Sequence, residues 1–198
     1  MPLKNGNCKK IFLSNTFNEQ PVSSHPSFKI LDLIVLAIFE DIILTVSSTV
    51  TIDIDLHLGA NLISLYGLPE DITISSIMSP IESIVEGVIG EGVAANHMGN
   101  GWWVGSLTSI SPSSGYWVKV SADGNLSVTE CTPSDPTMVY DLHGGANLIS
   151  FPYSGSVGIE TGLPDDVESA FDGVIGEGVA ANNMGDGWWV GSLTQWQG

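Results

Sequence analysis

Short runs of alternating apolar and polar residues, separated by glycine-containing turns, make up most of this chain. Asn61-Leu62-Ile63-Ser64-Leu65 is a short apolar strand after a glycine turn, and Tyr116 to Val120 alternates as a strand. Val88 to Met98 and Trp102 to Thr108 flank Gly99-Asn100-Gly101, and an Asn-Gly pair is typical of a hairpin turn. The pattern predicts antiparallel strands joined by tight turns.

A helical spacing of apolar residues lies between two of these strands. Within Ser76 to Val85 the apolar positions are Ile77, Ile81, Ile84 and Val85. Later in the chain the spacing recurs with different side chains, at Leu163, Val167 and Phe171. Because the period is kept while the identities change, we predict a packing helix at each place. Pro80 is compatible with the first turn of such a helix.

The whole pattern occurs twice. Asp55 to Thr108 aligns with Asp141 to Thr194 at a constant offset of 86 residues, and 31 of the 54 aligned positions are identical. Each copy opens with Asp-Leu-His-x-Gly-Ala-Asn-Leu-Ile-Ser and closes with Gly-Trp-Trp-Val-Gly-Ser-Leu-Thr. A repeat of this kind is usually a structural module, and an enzyme rarely keeps two copies of one active site side by side. The repeat therefore favours a structural or binding role.

The repeat predicts an α+β fold with two homologous modules, each a small antiparallel sheet or open barrel with one packed helix. The first module covers residues 48–130, residues 131–137 form a linker, and the second module covers residues 138–198. The second copy reaches Gly198 without a counterpart of Tyr116 to Val120. We therefore expect an incomplete second module, whose strand Trp188 to Thr194 lacks the partner that Trp102 to Thr108 has.

The segment before the repeats has a different composition. Residues 1–28 are polar and rich in Asn and Ser, which predicts a disordered tail without the features of a signal peptide. Residues 29–47 are strongly apolar but contain Asp32, Glu40 and Asp41. Each of these charges would cost roughly 2.5 kcal/mol or more near a membrane centre. The sequence therefore favours a packed amphipathic helix over a membrane span.

The charge of the chain limits its partners. The formal net charge is −17, and after Lys29 the only basic residue is Lys119, His aside. A field of that sign repels nucleic acid and anionic lipid, and it suits divalent cations or neutral partners such as polysaccharides. Cys8 and Cys131 leave two readings open: a disulfide formed in an oxidising compartment, or two unpaired thiols.

Two tryptophan pairs are the first candidates for ligand contact. Trp102-Trp103 and Trp188-Trp189 follow the two hairpin turns, and adjacent side chains on a strand face opposite ways. One indole of each pair can then be exposed as a stacking platform for a sugar ring. The candidate ligand-binding residues are Trp102, Trp188, Asn100 and Asp186. The alternative is that both indoles of a pair are buried, one on each side of the sheet.

A Ser-His-Asp arrangement is the second candidate. Asp55 and His57 are two positions apart, as are Asp141 and His143, so each pair shares one face of a strand. With a serine they would form an esterase-like set. The catalytic residues of this alternative are Asp55, His57, Ser106, Asp141, His143 and Ser192. No Gly-x-Ser-x-Gly elbow accompanies them, and a histidine that caps a turn or pairs with aspartate explains the same pattern.

Metal binding is the third candidate. Glu91 and Glu177 each lie in a Gly-Glu-Gly sequence, where they could bind Ca²⁺ together with Asn96 or Asp186. The histidines and cysteines have no zinc-ligand spacing, and no P-loop or dinucleotide fingerprint is present. We therefore expect no cofactor, with calcium as the alternative.

The repeat resembles one found near the C-termini of large secreted proteins of marine bacteria. The motifs that carry the resemblance are Gly-Ala-Asn-Leu-Ile-Ser-Phe-Pro, Trp-Val-Gly-Ser-Leu-Thr and Ser-Gly-Tyr-Trp-Val-Lys-Val, and they cover residues 53–194. Ile30 to Leu36 is similar to a dockerin helix, although no calcium loop precedes it. The resemblance implies an extracellular or cell-envelope location, and it brings no catalytic residues with it.

The sequence thus favours a non-catalytic accessory module of a secreted or cell-surface protein. Its role would be that of a spacer, an adhesion element or a glycan contact, with a polysaccharide or another surface protein as partner. The alternative is a small esterase-like hydrolase, which would need serine, histidine and aspartate within about 3 Å of one another beside a pocket.

Overall fold

The computed structural model describes residues 48–197. The predicted tail at 1–28 and the predicted helix at 29–47 lie outside these residues. In chain order the strands are β1 Val50–Leu56, β2 Gly59–Ile63, β3 Gly67–Leu68, β4 Val85–Gly90, β5 Val93–His97, β6 Trp103–Gly105, β7 Tyr116–Val120, β8 Gly124–Pro133, β9 Ser156–Gly158, β10 Gly173–Gly176, β11 Val179–Asn183, β12 Trp189–Gly191 and β13 Gln195–Gln197.

Four antiparallel sheets organise the described residues. The largest has the strand order β2-β7-β4-β5-β6, and a three-stranded sheet has the order β1-β8-β3. The second repeat contributes a three-stranded sheet, β10-β11-β12, and a two-stranded sheet, β13-β9. The fold is therefore rich in antiparallel β-structure, as the alternating pattern predicts.

One hydrophobic core lies between the five-stranded sheet and the β1-β8-β3 sheet. The side chains of Val88, Val118 and Val120 point inward from the five-stranded sheet, while Ile52 and Leu126 come from β1 and β8. Every residue of this core cluster lies between Val50 and Cys131, that is, in and around the first repeat. In the second repeat the buried apolar side chains are Ile159, Leu163 and Ala181. The second repeat therefore has much less buried apolar surface to stabilise it.

The helical part of each repeat is shorter than the apolar spacing predicts. Instead of one helix over Ser76 to Val85, helix α1 covers Ile74–Ile77 and a 3₁₀ turn covers Ser79–Ile81. Thr73 caps α1 by accepting the Ser76 N–H. Pro80 has no N–H to continue the helical ladder, and the chain enters β4 at Val85. The spacing correctly marks Ile77 and Ile81 as core residues, but it overestimates the length of the helix.

The second repeat has its own short helix, α2 at Ile159–Gly162, and a 3₁₀ turn at Glu168–Ala170. The offset from the first repeat changes here: α2 begins 85 residues after α1, and the 3₁₀ turn begins 89 residues after its counterpart. The β11 strand returns to the offset of 86 residues. The gapless alignment therefore describes the two ends of the repeat, whereas the helical middle is built differently.

The strand after the first repeat has different neighbours from those expected. β7 lies between β2 and β4, whereas β6 pairs with β5. The expectation that Tyr116 to Val120 pairs with the strand Trp102 to Thr108 is therefore wrong.

The predicted linker also begins too early, because β8 continues through Cys131 to Pro133. Cys131 is buried there, its thiol donates to the Val128 carbonyl at 3.4 Å, and burial raises its pKa.

We predict that Gly105→Ala destabilises the first repeat. Gly105 has φ of +155°, and an added Cβ would collide with the Ala94 carbonyl oxygen. That oxygen accepts the N–H groups of Ser106 and Leu107 at 2.8 and 3.1 Å, so it is not free to move away. We expect a loss of about 1–3 kcal/mol in the free energy of unfolding, measured by urea denaturation.

Gly144→Ala is the matched control for this substitution. An added Cβ at Gly144 meets nothing within 4 Å, so its effect should stay within about 0.5 kcal/mol. Equal denaturation midpoints for the two variants would contradict the steric argument at Gly105.

Candidate functional site

The two hairpins that carry the tryptophan pairs have the same local structure. In the first, the Met98 N–H donates to the Trp102 carbonyl at 2.8 Å, and the Trp102 N–H donates to the Gly99 carbonyl at 3.1 Å. The second repeats both bonds, between Met184 and Trp188 and between Trp188 and Gly185. Asn100 and Asp186 have φ of 52° and 53°, a left-handed conformation that these residues tolerate better than most. The Asn-Gly signal thus predicts the first turn correctly, and Gly185-Asp186-Gly187, with the other favoured pair Asp-Gly, forms the same turn in the second repeat.

Each tryptophan pair is divided between solvent and protein. Trp102 and Trp188 are each 64% exposed, so the arrangement with both indoles buried is not the one formed. Trp103 packs against His97 with 5.0 Å between ring centroids, and the Trp189 Nε1–H donates to Glu168 Oε1 at 2.5 Å. The second indole of each pair therefore anchors the hairpin, while the first is free to contact a ligand.

The exposed indoles extend the outer face of their sheets. Asn96 lies directly opposite Val104 in the β5–β6 ladder, and Asn182 lies opposite Val190 in the β11–β12 ladder. The exposed residues that accompany the indole in the first repeat are Asn96, Met98, Asn100 and Val104. In the second repeat they are Asn182, Met184, Asp186 and Val190. The structure thus presents two surfaces of nearly identical composition, each combining an indole with amide, carboxylate or backbone hydrogen-bonding groups.

The histidines of the predicted Ser-His-Asp sets have other partners. His57 Nε2 contacts the Glu177 carboxylate, and His57 Nδ1 lies 3.0 Å from the Leu58 carbonyl. Asp55 Oδ1 accepts from Asn125 Nδ2 at 2.9 Å. Ser106 Oγ accepts the Ala94 N–H at 3.3 Å. The three groups are therefore each engaged separately, and no Asp55–His57–Ser106 relay is formed.

The second set behaves in the same way. His143 contacts the Glu91 carboxylate through Nε2 and the Gly144 carbonyl through Nδ1. Ser192 Oγ accepts the Ala180 N–H at 3.3 Å, and Asp141 is exposed. Hydrolysis by a serine nucleophile needs a base within hydrogen-bonding reach, and neither histidine takes that position.

The two Gly-Glu-Gly turns connect the repeats reciprocally. Glu177 accepts from His57 and, through Oε2, from the Leu62 N–H at 2.8 Å. Glu91 makes the same pair of contacts with His143 and with the Leu148 N–H, also at 2.8 Å. Both carboxylate oxygens are thus engaged at each glutamate. Glu91 and Glu177, the residues of the alternative calcium prediction, therefore connect the two repeats.

The loop that receives each glutamate is held by an asparagine. Asn61 Oδ1 accepts the His57 N–H at 2.8 Å, and Asn61 Nδ2 donates to the His57 carbonyl at 2.9 Å. Asn147 makes both bonds to His143 at 2.9 Å. This two-bond clamp holds the backbone of the histidine residue in both copies.

Hydrogen bonding also sets the charge of the histidines. Both ring nitrogens of His57 face oxygen atoms, an arrangement that favours the doubly protonated ring. The Leu58 carbonyl and then Glu177 raise the pKa of His57 above its ordinary value of 6.5. The Gly144 carbonyl and then Glu91 do the same for His143. The Leu148 N–H and then His143 lower the pKa of Glu91 below its ordinary value of 4.5.

A buried histidine that the sequence analysis did not single out lies next to the first hairpin. The His97 side chain is 6% exposed, and its Nε2 lies 3.9 Å from Glu82 Oε1 without a hydrogen-bond partner among the described residues. His97 Nδ1 is 3.2 Å from the Val85 carbonyl. The second repeat has Asn183 here, whose Nδ2 donates to the Glu168 carbonyl at 2.9 Å. The difference between His97 and Asn183 was the available signal in the sequence.

Two further observations concern the chemistry and location of the chain. Among residues 48–197, no three His, Cys, Asp or Glu side chains are grouped to hold a metal ion. Within the same residues, no helix has the length and apolar character needed to cross a bilayer.

Comparison with protein-family models, curated proteins and solved structures finds no match to this chain.

We predict that the docking between repeats depends on pH in two steps. The raised pKa values of His57 and His143 give a stabilisation that is complete below 6.5 and is lost as pH rises through the folded-state pKa. The lowered pKa of Glu91 gives a second stabilisation, which is present above pH 4.5 and is lost as the pH falls through the folded-state pKa of Glu91. Docking should therefore be strongest between about pH 4.5 and 6.5.

Thermal unfolding from pH 4 to 9 tests this dependence, with the double variant His57→Gln, His143→Gln as reference. The difference in Tm between parent and variant should be largest inside the window and should shrink at high salt, because the pairs are solvent-exposed. A difference that is constant with pH would show that the histidines do not act through their charge.

Proposed function

We propose that this chain is a non-catalytic accessory module of a secreted or cell-surface protein, and that it contacts polysaccharide through Trp102 and Trp188. The observation that carries the proposal is the identical 64% exposure of these two indoles at equivalent hairpins. An exposed apolar surface rimmed by polar residues is typical of a binding site. The same exposed indole occurs at the equivalent turn of both repeats, which supports a binding role more strongly than one isolated exposed residue would.

The chemistry around each indole suits a sugar. Indole faces stack on the apolar face of a pyranose ring, while neighbouring amide and backbone groups bond its hydroxyls. Asn96, Asn100 and their counterparts supply such groups beside the indoles. The formal net charge of −17 disfavours nucleic acid and anionic surfaces. A neutral polysaccharide is the partner that meets both conditions.

We further propose that the chain contains two homologous modules. The supporting observations are the repeated hairpin, the shared asparagine clamp and the reciprocal glutamate contacts. Docking of the repeats would fix the two indoles relative to each other. Two sites on one unit strengthen binding to a polymer through effective concentration without any new contact.

An extracellular or cell-envelope location agrees with this role. Polysaccharide partners are found outside the cell, and the secreted proteins that the repeat resembles act there. The reciprocal contacts depend on solvent-exposed charges.

Binding to insoluble neutral polysaccharides such as cellulose and chitin tests the proposal. The single variants Trp102→Ala and Trp188→Ala should each weaken binding, and the double variant should lose at least about tenfold in affinity because avidity is lost as well. Substitution at these exposed positions should leave the Tm within a few degrees of the parent.

Tyr153→Ala provides the control, since Tyr153 is an exposed aromatic residue outside both hairpins. It should bind as the parent does. If the double tryptophan variant retains parental binding to every polysaccharide that the parent binds, or if the parent binds none, the proposed contact is wrong.

A further inference from the structure

A cavity lies beside the turn of the first hairpin. Its volume is about 660 Å³, which is within the usual range of small-molecule sites. Its lining comes from the 3₁₀ turn and the start of β4, from His97 at the end of β5, and from the turn residues Gly99 and Asn100. Because Asn100 is two residues from Trp102, the cavity and the exposed indole belong to one hairpin.

His97 places a buried acceptor at the wall of this cavity. Its side chain is 6% exposed, and its Nδ1 lies 3.2 Å from the Val85 carbonyl. A carbonyl oxygen only accepts, so Nδ1 carries the proton and Nε2 of the neutral ring keeps its lone pair. Among residues 48–197, Nε2 has no hydrogen-bond partner. A buried acceptor without a donor is destabilising, and a donor supplied by a ligand would remove that cost.

Glu82 provides a second acceptor next to the first. Glu82 Oε1 lies 3.9 Å from His97 Nε2, which is too far for a direct hydrogen bond. The other glutamate of the cavity, Glu86, forms an ion pair with Lys119 at 2.7 Å. Within the part of the chain that the structure describes, Glu82 has no lysine partner. Its negative charge is therefore available to a cationic ligand.

Two serine hydroxyls of the cavity add acceptors and no donors. Ser79 Oγ donates to the Ser76 carbonyl at 2.8 Å, and Ser121 Oγ donates to the Ile84 carbonyl at 3.1 Å. Each hydroxyl has thus used its one proton, and only its lone pairs remain for a ligand. The cavity therefore has more acceptors than donors.

The second repeat satisfies the two equivalent positions internally. The counterparts of Glu82 and His97 at the offset of 86 residues are Glu168 and Asn183. Glu168 Oε1 accepts from Trp189 Nε1 at 2.5 Å, and Asn183 Nδ2 donates to the Glu168 carbonyl at 2.9 Å. Of the two described repeats, the first is therefore the one that leaves both acceptors open.

Two acceptors at this separation select a ligand group with several N–H donors. One nitrogen can lie about 2.8 Å from both His97 Nε2 and Glu82 Oε1, which is the length of a charge-assisted hydrogen bond. A primary ammonium group has three donors and no acceptor, whereas a sugar hydroxyl has one donor and satisfies one of the two acceptors. The Glu82 side chain is 46% exposed, so it can turn to admit such a group.

We propose that this cavity binds the ammonium group of an amino sugar in the polysaccharide that contacts Trp102. The inference rests on the proposed function, and it narrows the ligand to a polysaccharide in which some sugar units carry a free amino group. His97 Nε2 and Glu82 accept from the ammonium group, while Asn100 and Ser83 remain for the neighbouring sugar hydroxyls. The formal net charge of −17 favours the approach of such a polymer.

Two soluble oligosaccharides of equal length, one of β-linked glucosamine and one of β-linked N-acetylglucosamine, test the proposal on the whole chain. Acetylation removes the charge and two of the three donors. By calorimetry at about pH 7, where an amine is largely protonated, the parent should bind the glucosamine oligomer about tenfold more tightly. On saturation the nitrogen-15 NMR signal of His97 Nε2 should move, while the side-chain signals of His57 and His143 should stay.

Matched variants locate the site. Glu82→Gln and His97→Asn should each reduce the preference for the glucosamine oligomer to about twofold or less, because each removes one of the two acceptors. Glu82 is partly exposed, so its variant should fold as the parent does. Glu168→Gln makes the same change of charge at the equivalent position of the second repeat, and it should keep the parental preference. This control separates the site from a general attraction of amines to an acidic chain.

Equal affinity for the two oligomers would overturn the assignment, as would a preference that persists in Glu82→Gln. Tighter binding of a lysine-containing peptide, with the same movement of the His97 signal, would identify a partner protein and overturn the assignment to a sugar.

Failure of the proposed function gives a different result. If the double variant Trp102→Ala, Trp188→Ala binds the acetylated oligomer as the parent does, the contact at the indoles is wrong. A glucosamine preference that survives in the same variant would still support the ammonium site.

Discussion

The pairing of β7 with both β2 and β4 is the interaction on which the rest of the described structure depends. Buried backbone groups must be paired, and β7 supplies the pairing for two strands at once. Its inward side chains, Tyr116, Val118 and Val120, close the core against β1 and β8. The described residues of the second repeat form smaller sheets and bury fewer apolar side chains.

Local features of the fold could be predicted from the sequence. The hairpin turns follow from Asn-Gly and Asp-Gly, because these pairs accept positive φ. Strand alternation separates Trp102 from Trp103, since neighbouring side chains face opposite sides of a strand. Apolar spacing identifies Ile77 and Ile81 as core residues. Each of these predictions depends on residues within about ten positions of one another, where sequence and geometry are closely related.

Long-range pairings could not be predicted in this way. Asp55 is two positions from His57, so it was the natural partner in the sequence, but the actual partner is Glu177, 120 residues away. Similarly, the chain enters the sheet at β7 beside β4 rather than beside the preceding β6. The composition of a strand does not specify which strand it pairs with when several strands have a similar alternation of apolar and polar residues. The candidate site was therefore found through the local tryptophan signal, whereas its connections between repeats emerged only in three dimensions.

The exchange of identical contacts between the repeats has a consequence for assembly. Each repeat donates one glutamate turn and receives one in its His-x-Gly-Ala-Asn loop. Such an interface is self-complementary, like that of a two-fold symmetric dimer, although both halves belong to one chain. Two repeats satisfy all the contacts of this interface, so it forms a closed pair and does not extend to a third repeat. A longer row of these repeats would be organised in pairs, and its number of units, odd or even, would decide whether one docking surface remains unfilled.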